Sequence, residues 1–410
     1  MANDYVHNLQ VDNYPATRRS LRIAVVSETY PPEVNGVAVT LAKVVEGLRT
    51  ANHAVQLIRL RQGGTDAACQ DENLTGYQEV LMRGLPIPRY PELRMGMPSK
   101  SALIRLWQLK RPDVVHIATE GPLGWSALRA ALYLKLPIST DYRTNFQSYS
   151  THYGVGFLYK PIMVYLKKFH NHAQSTMVPT EALRASLAVA GFQRLKVVSR
   201  GVDTVAYDPA NRNEALRAQW GLAPNDLAVL CVGRLAQEKN LALLIKAFEA
   251  IEAREASQPI LPRARLVLVG NGPMRQELQA RCPNAIFAGQ LRGKDLAEHY
   301  ASADLFLMPS LTETFGNVTT EAMASGLPVV AFNYAAAAEL IVDGVNGRLV
   351  ALSDSVGFVT AALALAGQAL QRKQMGLAAR QTSLQLDWTH IVQKFEDVLQ
   401  EVIDQSRVIV

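Results

Sequence analysis

The chain has 410 residues, of which 49% are hydrophobic and 19% are charged, and its formal net charge is +6. This length exceeds one ordinary hydrophobic core and this composition excludes a disordered chain, so we expect two globular domains. The three cysteines, Cys69, Cys231 and Cys282, form no CxxC pair, which argues against a disulfide framework or a cysteine zinc site and fits a reducing cytoplasm.

The first half of the chain alternates between strand and helix patterns. Residues 1–20 lack the apolar core of a signal peptide and are expected to form a polar extension. Short apolar runs rich in β-branched residues then predict strands at residues 21–28, 53–60, 113–118 and 137–142. A helix is predicted at residues 39–50. Such runs are typical of parallel strands covered on both faces.

The second half repeats this alternation. Strands are predicted at residues 226–233, 264–270, 303–309 and 327–332. A Gly, an Asp and a Pro cluster within residues 198–210, which places the boundary between the halves there. The whole pattern predicts an α/β fold with two doubly wound sheets.

Two carboxylates flank a glycine turn after the strand predicted at residues 303–309. Glu313 lies in the loop, Gly316 lies where a helix should begin, and Glu321 lies in the early turns of that helix. A helix start binds anions, and carboxylates accept hydrogen bonds from hydroxyls. A nucleotide-diphosphate sugar presents both groups. The simpler alternative is a solvated loop glutamate and an ordinary first-turn acid.

Two other loops that follow predicted strands carry candidate ligand contacts. Arg234 and Lys239 follow the strand at residues 226–233 and could neutralise a departing diphosphate, or could be plain surface cations. Asn35 and Gly36 lie between the first predicted strand and helix. A glycine there lets the backbone approach a ligand closely, or simply forms a turn.

Together these motifs resemble the family-4 retaining glycosyltransferases of GT-B fold. The resemblance rests on SETYPPEVNGVAVTL, RGVDTVAYDP, GRLAQEKN, LVLVGNGP, ETFGNVTTEAMASGLPVVA and VDGVNGRLV, and it extends from about residue 21 to about residue 400. Within the family the chain looks closest to the bacterial branch that includes mannosyltransferases and the sulfoquinovosyl or glucosyl transferases of lipid synthesis.

The resemblance implies two Rossmann-like domains that face each other across a cleft. An acceptor-side domain would span residues 21–198 and a nucleotide-sugar-binding domain residues 199–386. A last helix within residues 387–410 would cross back to the first domain.

The resemblance also implies roles for single residues. Glu313 would hold sugar hydroxyls, Glu321 would take the ribose hydroxyls, and Arg234 with Lys239 would stabilise the leaving diphosphate. The full set of implied donor-binding residues is Gly36, Gly233, Arg234, Lys239, Leu291, Glu313, Phe315, Gly316, Asn317 and Glu321. Within it, the amides of residues 315–317 would hold sugar and phosphate, the backbone of residues 289–291 would border the base, and Gly36 would contact diphosphate or acceptor across the cleft.

One position departs from the family pattern. Many relatives end the strand at residues 137–142 with a histidine that contacts the transferred sugar, whereas this chain has Arg143. Arginine cannot act as a base, but it could bind a sugar or stabilise the leaving phosphate. The implied catalytic residues are therefore Arg234, Lys239, Glu313 and Arg143. His116 is a nearby alternative that we interpret as a buried structural histidine.

The expected activity is retaining hexosyl transfer from a GDP-mannose or UDP-glucose type of donor, by front-face attack and without a metal or other cofactor. The alternative is a nucleotide-sugar-binding protein or an epimerase on the same fold. An NAD enzyme is disfavoured because, in GNGPMR, Arg275 occupies the third glycine position of the dinucleotide motif.

Charge is divided unevenly between the halves. Residues 1–200 contain 24 Lys and Arg against 14 Asp and Glu, whereas residues 201–410 contain 18 against 22. A basic first half favours an anionic partner, such as a membrane surface beneath a lipid-linked acceptor, and residues 158–172 mix aromatic and basic residues like an interfacial helix. That helix could equally pack on its own domain, with a glycan as acceptor. Nucleic acid is a weaker explanation because no binding module accompanies the charge.

The best apolar candidate for a membrane span, residues 359–370, is too short, so we expect a cytoplasmic protein held at the membrane periphery.

Overall fold

The computed structural model describes residues 20–33, 35–62, 66, 68, 76–87, 90–143, 159–257, 262–313 and 315–408. Three features named above lie outside the described residues: the predicted N-terminal extension apart from Ser20, Cys69 and Leu158. The described part is an α/β structure with two parallel sheets.

The first sheet contains seven parallel strands in the order β3-β2-β1-β6-β7-β8-β9. Its strands and those of a small antiparallel hairpin, β4-β5, are β1 (Arg22–Ser27), β2 (Ala54–Leu60), β3 (Tyr77–Met82), β4 (Gly84–Ile87), β5 (Tyr90–Gly96), β6 (Val114–Ile117), β7 (Ile138–Asp141), β8 (Ser175–Val178) and β9 (Leu195–Val197). The helices of this half are α1 (Gly36–Thr50), α2 (Lys100–Leu109), α3 (Pro122–Tyr133), α4 (Tyr159–His170) and α5 (Glu181–Val189). The central strands are buried on both faces, as their continuous apolar sequence requires.

The second sheet contains six parallel strands in the order β12-β11-β10-β13-β14-β15. These are β10 (Leu227–Val232), β11 (Ala264–Val269), β12 (Ile286–Gly289), β13 (Leu305–Met308), β14 (Val329–Phe332) and β15 (Gly347–Val350). The helices around it are α6 (Glu214–Gln219), α7 (Leu241–Ser257), α8 (Arg275–Arg281), α9 (Gly293–Ala301), α10 (Asn317–Ala324), α11 (Ala335–Leu340), α12 (Ser355–Ala366) and α13 (Ala369–Leu384). One apolar cluster lies on each face of this sheet.

The last helix, α14 (Trp388–Val408), returns to the first half and packs against α1 and the first sheet. The apolar residues that it buries in this contact are Val392, Phe395, Val398, Leu399, Val402 and Ile403. A buried polar contact fixes its position: His53 Nδ1 accepts the Leu21 amide at 3.0 Å, and its Nε2 lies 2.6 Å from Glu396 Oε1. The predicted fold, with two doubly wound sheets and a helix that crosses back, is confirmed.

Every strand predicted from sequence is present, with ends that shift by one or two residues. The predicted helix at residues 39–50 begins earlier, at Gly36, because the Asn35 side chain caps it by accepting the Ala38 amide at 2.8 Å. The domain limits at residues 198–199 and 386–387 stay predictions.

The contact between α1 and α14 gives a test of the crossing helix. A Cβ at Gly47 would lie 2.4 Å from Val392 Cγ2, so Gly47→Ala should destabilise the protein by about 1–3 kcal/mol through overpacking. This should outweigh the roughly 1 kcal/mol that alanine adds to helix propensity. In a Val392→Ala background the same substitution should cease to destabilise. Urea unfolding of the four proteins measures this, and an equal loss in both backgrounds would contradict the packing.

Candidate active site

The second sheet has a topological switch point between β10 and β13. The chain continues from β10 to its neighbour β11 on one side, and from β13 to its neighbour β14 on the other. The loops that leave these two strands therefore diverge and open a crevice at the carboxyl edge of the sheet. The crevice is open to solvent, and its polar lining includes Arg234, Lys239, Ser310 and Glu313.

Glycines allow the strand ends to approach each other beside this crevice. A Cβ at Gly270, after β11, would lie 1.9 Å from the Gly233 carbonyl oxygen after β10, so this position excludes any side chain. The Gly270 amide donates to the Gly289 carbonyl at 2.7 Å. The GNGP motif is thus explained by packing between neighbouring strand ends, which agrees with the argument against NAD.

The two loops of the crevice are joined by an ion pair. Lys239 Nζ contacts Glu313 Oε1, although the two residues are 74 positions apart. Both side chains are largely buried. Arg234 is about half exposed, and its Nη1 lies 4.0 Å from Glu238 Oε1. Three of the four predicted catalytic residues therefore line one crevice.

The helix α10 begins at the rim of this crevice. Gly316 precedes it with φ +95°, a conformation that favours glycine, and no side chain caps the helix. Phe315 is buried and its carbonyl accepts the Ala336 amide at 2.8 Å, which anchors the turn. Uncapped amides at a helix start are suited to an anion. Residue 314, inside this loop, lies outside the described residues.

Glu321 lies in the second turn of α10, since the helix begins at Asn317 and no acid occupies its first turn. The alternative that it is a first-turn acid is therefore wrong. It accepts the Tyr300 hydroxyl at 2.8 Å. Burial raises the pKa of this carboxyl, while the hydrogen bonds from Tyr300 and Tyr207 lower it. Its surroundings are thus already arranged to donate hydroxyl hydrogens to it.

Two predicted donor residues lie at other places. Leu291 follows β12 and is half-buried against the core, and it is not among the described residues that line the crevice. Gly36 begins α1 in the first half, and a Cβ there would lie 3.5 Å from Asn317 Nδ2. The starts of α1 and α10 therefore meet across the gap between the halves.

Arg143 belongs to the first half and is not among the described residues that line the crevice. It directly follows β7, is 3% exposed, and forms an ion pair with Asp141. His116 lies within β6, with its Nδ1 3.0 Å from Ser139 Oγ and its ring 4.7 Å from that of Phe395. Burial lowers the pKa of His116 to about 4, which keeps it neutral and supports its interpretation as a structural histidine.

Sequence reasoning missed several polar residues at the carboxyl edge of the first sheet. Glu28 accepts the amides of Leu123 at 2.6 Å and Gly96 at 3.2 Å, and burial raises its pKa. His170 Nε2 lies 3.3 Å from Glu120 Oε1. Glu28 could have been identified from the sequence, because it is a polar residue at the end of an apolar run.

Among the described residues, no group of three or more His, Cys, Asp and Glu side chains is close enough to hold a metal ion. Nor does any helix in the described ranges combine the length and the apolar character needed to cross a membrane.

Comparisons with known proteins cover both halves of the chain. Residues 34–205 match the model "Glycosyltransferase Family 4", and residues 226–368 match "Glycosyl transferases group 1". The chain is 33% identical over 373 residues to the GDP-mannose-dependent alpha-mannosyltransferase of Mycobacterium tuberculosis, which covers 90% of this chain and 93% of that protein. It is 30% identical to sulfoquinovosyl transferase SQD2 of Arabidopsis thaliana, over 90% of this chain and 71% of that protein.

Solved structures agree on the fold. HepE of Anabaena in complex with UDP and glucose superposes with a TM-score of 0.71 at 20% identity, over 93% of this chain and 99% of that chain. Sucrose-phosphate synthase from Thermosynechococcus elongatus superposes with a TM-score of 0.75 at 18% identity, over 94% of this chain and 100% of that chain.

Proposed function

Because this chain belongs to the family 4 glycosyltransferases, we propose that it transfers a hexose from a nucleotide-diphosphate sugar to a hydroxyl of a lipid-linked or glycan acceptor. The observation that carries the proposal is the crevice at the switch point of the second sheet. There two cations, a carboxylate and an uncapped helix start converge within reach of one ligand.

GDP-mannose is the donor we expect, since three relatives that are 31–33% identical over at least 90% of this chain carry the name GDP-mannose-dependent alpha-mannosyltransferase. A thermal-shift screen with GDP, UDP, ADP and their common sugars tests this, because a ligand that binds only the folded state raises the melting temperature. The same protein, given the stabilising donor and a hydroxyl acceptor, should form a glycoside. Epimerised or merely bound donor without transfer would favour the epimerase or binding-protein alternative.

We propose that transfer retains the anomeric configuration and requires no metal ion. The acceptor oxygen would attack the anomeric carbon from the face that the diphosphate leaves. The bond from that carbon to the phosphate oxygen would break, and the acceptor proton would pass to the departing phosphate. Arg234 and Lys239 would stabilise the charge that develops on this phosphate, and fixed cations of this kind need no rearrangement during the reaction.

The two cations give a direct test of this role. Replacing Arg234 or Lys239 with Ala should lower turnover at saturating donor at least ~100-fold, the scale of losing one oriented charge-stabilising group. Lys246→Ala on α7, an exposed lysine outside the crevice, is the matched control and should retain turnover. Full turnover in the Arg234 or Lys239 variant would remove that residue from the role.

The two glutamates should respond differently to substitution. Glu313→Gln should lower transfer, because the sugar loses its anionic acceptor, yet the free nucleoside diphosphate should bind at least as well since Lys239 is released from its ion pair. Glu321→Ala should weaken that nucleotide by about 1.5–3 kcal/mol, the scale of hydrogen bonds to a charged group. Calorimetry with the diphosphate separates the two. Weaker diphosphate binding in Glu313→Gln would mean that Glu313 supports the loop.

We further propose that the first half docks on an anionic membrane through α4. Leu166 and Phe169 bury one face of this helix against its own half, as the simpler interpretation required. The opposite face leaves Val164 61% exposed, and Lys160 and Lys168 are exposed there too. Tyr165 lies at the border of this face and donates its hydroxyl to the Glu120 carbonyl. Apolar and basic residues on one exposed face are typical of interfacial helices. Relatives include alpha-monoglucosyldiacylglycerol synthases, whose name implies a lipid product.

Vesicle sedimentation tests this docking. Each lysine near an anionic surface contributes roughly 1 kcal/mol, so replacing Lys160, Lys167 and Lys168 with Gln should abolish binding to anionic vesicles at low salt. Binding by the unmodified protein should also fall at high salt, where exposed charges are screened. Replacing Lys246, Lys294 and Lys373 removes the same charge elsewhere and should leave binding intact. No binding to anionic vesicles at low salt would favour a soluble glycan acceptor.

A further inference from the structure

Two buried arginines lie together at the carboxyl edge of the first sheet. Arg143 directly follows β7 and is 3% exposed, and Arg200 follows β9 and is 6% exposed. Only β8 separates β7 from β9 in the sheet, so the residues that follow these strands lie at neighbouring places on one edge, and the Arg143 charge acts on the Arg200 guanidinium. One carboxylate, Asp141, is ion-paired with Arg143. Within the part of the chain that the structure describes, Arg200 has no hydrogen bond or ion pair.

This cluster, Asp141–Arg143–Arg200, contains more positive charge than negative. Nε and Nη1 of Arg143 are buried without a hydrogen-bond partner. Burial and the neighbouring Arg143 charge lower the pKa of Arg200 to about 9, although the Asp141 charge acts in the opposite direction. Arginine nevertheless stays protonated in proteins, and a buried charge without a partner is strongly unfavourable. His116, on the adjacent strand, is neutral and offers no compensation.

The fold holds both arginines in place. A Cβ at Gly201 would lie 2.6 Å from the Trp388 ring, so the backbone beside Arg200 is pressed against the start of α14. The Val202 amide donates to the Leu386 carbonyl at 3.0 Å. Arg143 is fixed by the pairing of Asp141 with Met177 in β8. The backbone beside each arginine is therefore fixed, and a planar guanidinium loses little entropy for each hydrogen bond that it forms with a ligand.

The cluster is separate from the crevice of the second sheet, whose lining includes neither arginine. It lies at the carboxyl edge of the first sheet, the edge at which α1 meets the start of α10. An anion bound there would belong to the substrate held by the first half.

We propose that Arg143 and Arg200 bind an oxyanion, a phosphate or carboxylate group, carried by the acceptor. The planar donor fork of each guanidinium matches such a group in bidentate fashion. This inference rests on the proposed function for its source, the acceptor, but the site itself does not depend on that function.

Inorganic phosphate is the probe, titrated into the full chain by calorimetry with and without a saturating nucleoside diphosphate. Phosphate should still bind when the diphosphate is present. In the presence of the diphosphate, Arg143→Gln and Arg200→Gln should each weaken phosphate binding about tenfold or more, on the scale of hydrogen bonds to a charged group, while Lys239→Ala leaves it unchanged. The proposal would be overturned if the diphosphate displaced the phosphate and Lys239→Ala abolished phosphate binding. It would also be overturned if phosphate did not bind at all.

The melting temperature without ligand distinguishes an arginine that binds a ligand from one that stabilises the fold. Arg200→Gln removes an uncompensated charge, so its melting temperature without ligand should equal or exceed that of the unmodified protein. The matched control is Arg217→Gln on α6. Arg217 is 1% exposed, and its Nη1 donates to Asp304 Oδ2 at 2.9 Å and to the Ser302 carbonyl at 2.7 Å, so its loss should lower the melting temperature. A large fall for Arg200→Gln would show a structural role and contradict the proposal.

A last experiment distinguishes whether the acceptor or the donor sugar carries the anion. Arg143→Gln should bind a nucleotide-linked neutral hexose and a nucleotide-linked uronate with the same ratio of affinities as the unmodified protein. A selective loss of the uronate would place the anion on the donor sugar and overturn the acceptor assignment. If no nucleotide sugar binds at all, the proposed function fails. The phosphate titration then still tests the arginine site independently.

Discussion

Divergence of the chain at β10 and β13 is the constraint on which the candidate site depends. Every strand of the second sheet runs parallel, so all strand ends of one kind lie at one edge. Where consecutive crossovers leave in opposite directions, no helix covers that edge and a crevice is unavoidable. Arg234, Lys239 and Glu313 meet there because they lie on the two loops that diverge. The ion pair between Lys239 and Glu313 then balances two of the charges that line the crevice.

The first half contributes through helix starts and one crossing helix. α14 buries its apolar face on α1, which ties the end of the chain to the first sheet. The start of α1 in turn approaches the start of α10 at Gly36 and Asn317. A ligand held by α10 is therefore exposed to groups from both sheets, as a transferase needs when donor and acceptor must meet.

Much of the fold could be predicted from sequence because the central strands are short, apolar runs that only a doubly covered parallel sheet explains. Strands such as β12 and β3 are half-exposed and lack that pattern, so they were not predicted. The residues of the crevice could be proposed as ligand contacts from their places after predicted strands, but only the resemblance to a family gave each of them a role. Their pairing could not, since Lys239 and Glu313 meet through tertiary structure. Arg200 was missed for the same reason: its meaning depends on a neighbour, Arg143, that is distant in sequence.

The central claim is that the switch-point crevice of the second sheet holds the donor diphosphate. A crystal structure of the protein with the nucleoside diphosphate that stabilises it most is the most direct measurement. The account predicts diphosphate density between Lys239 and the amides at the start of α10, with the Lys239–Glu313 contact broken. Density at any other place, with that ion pair intact, would contradict it.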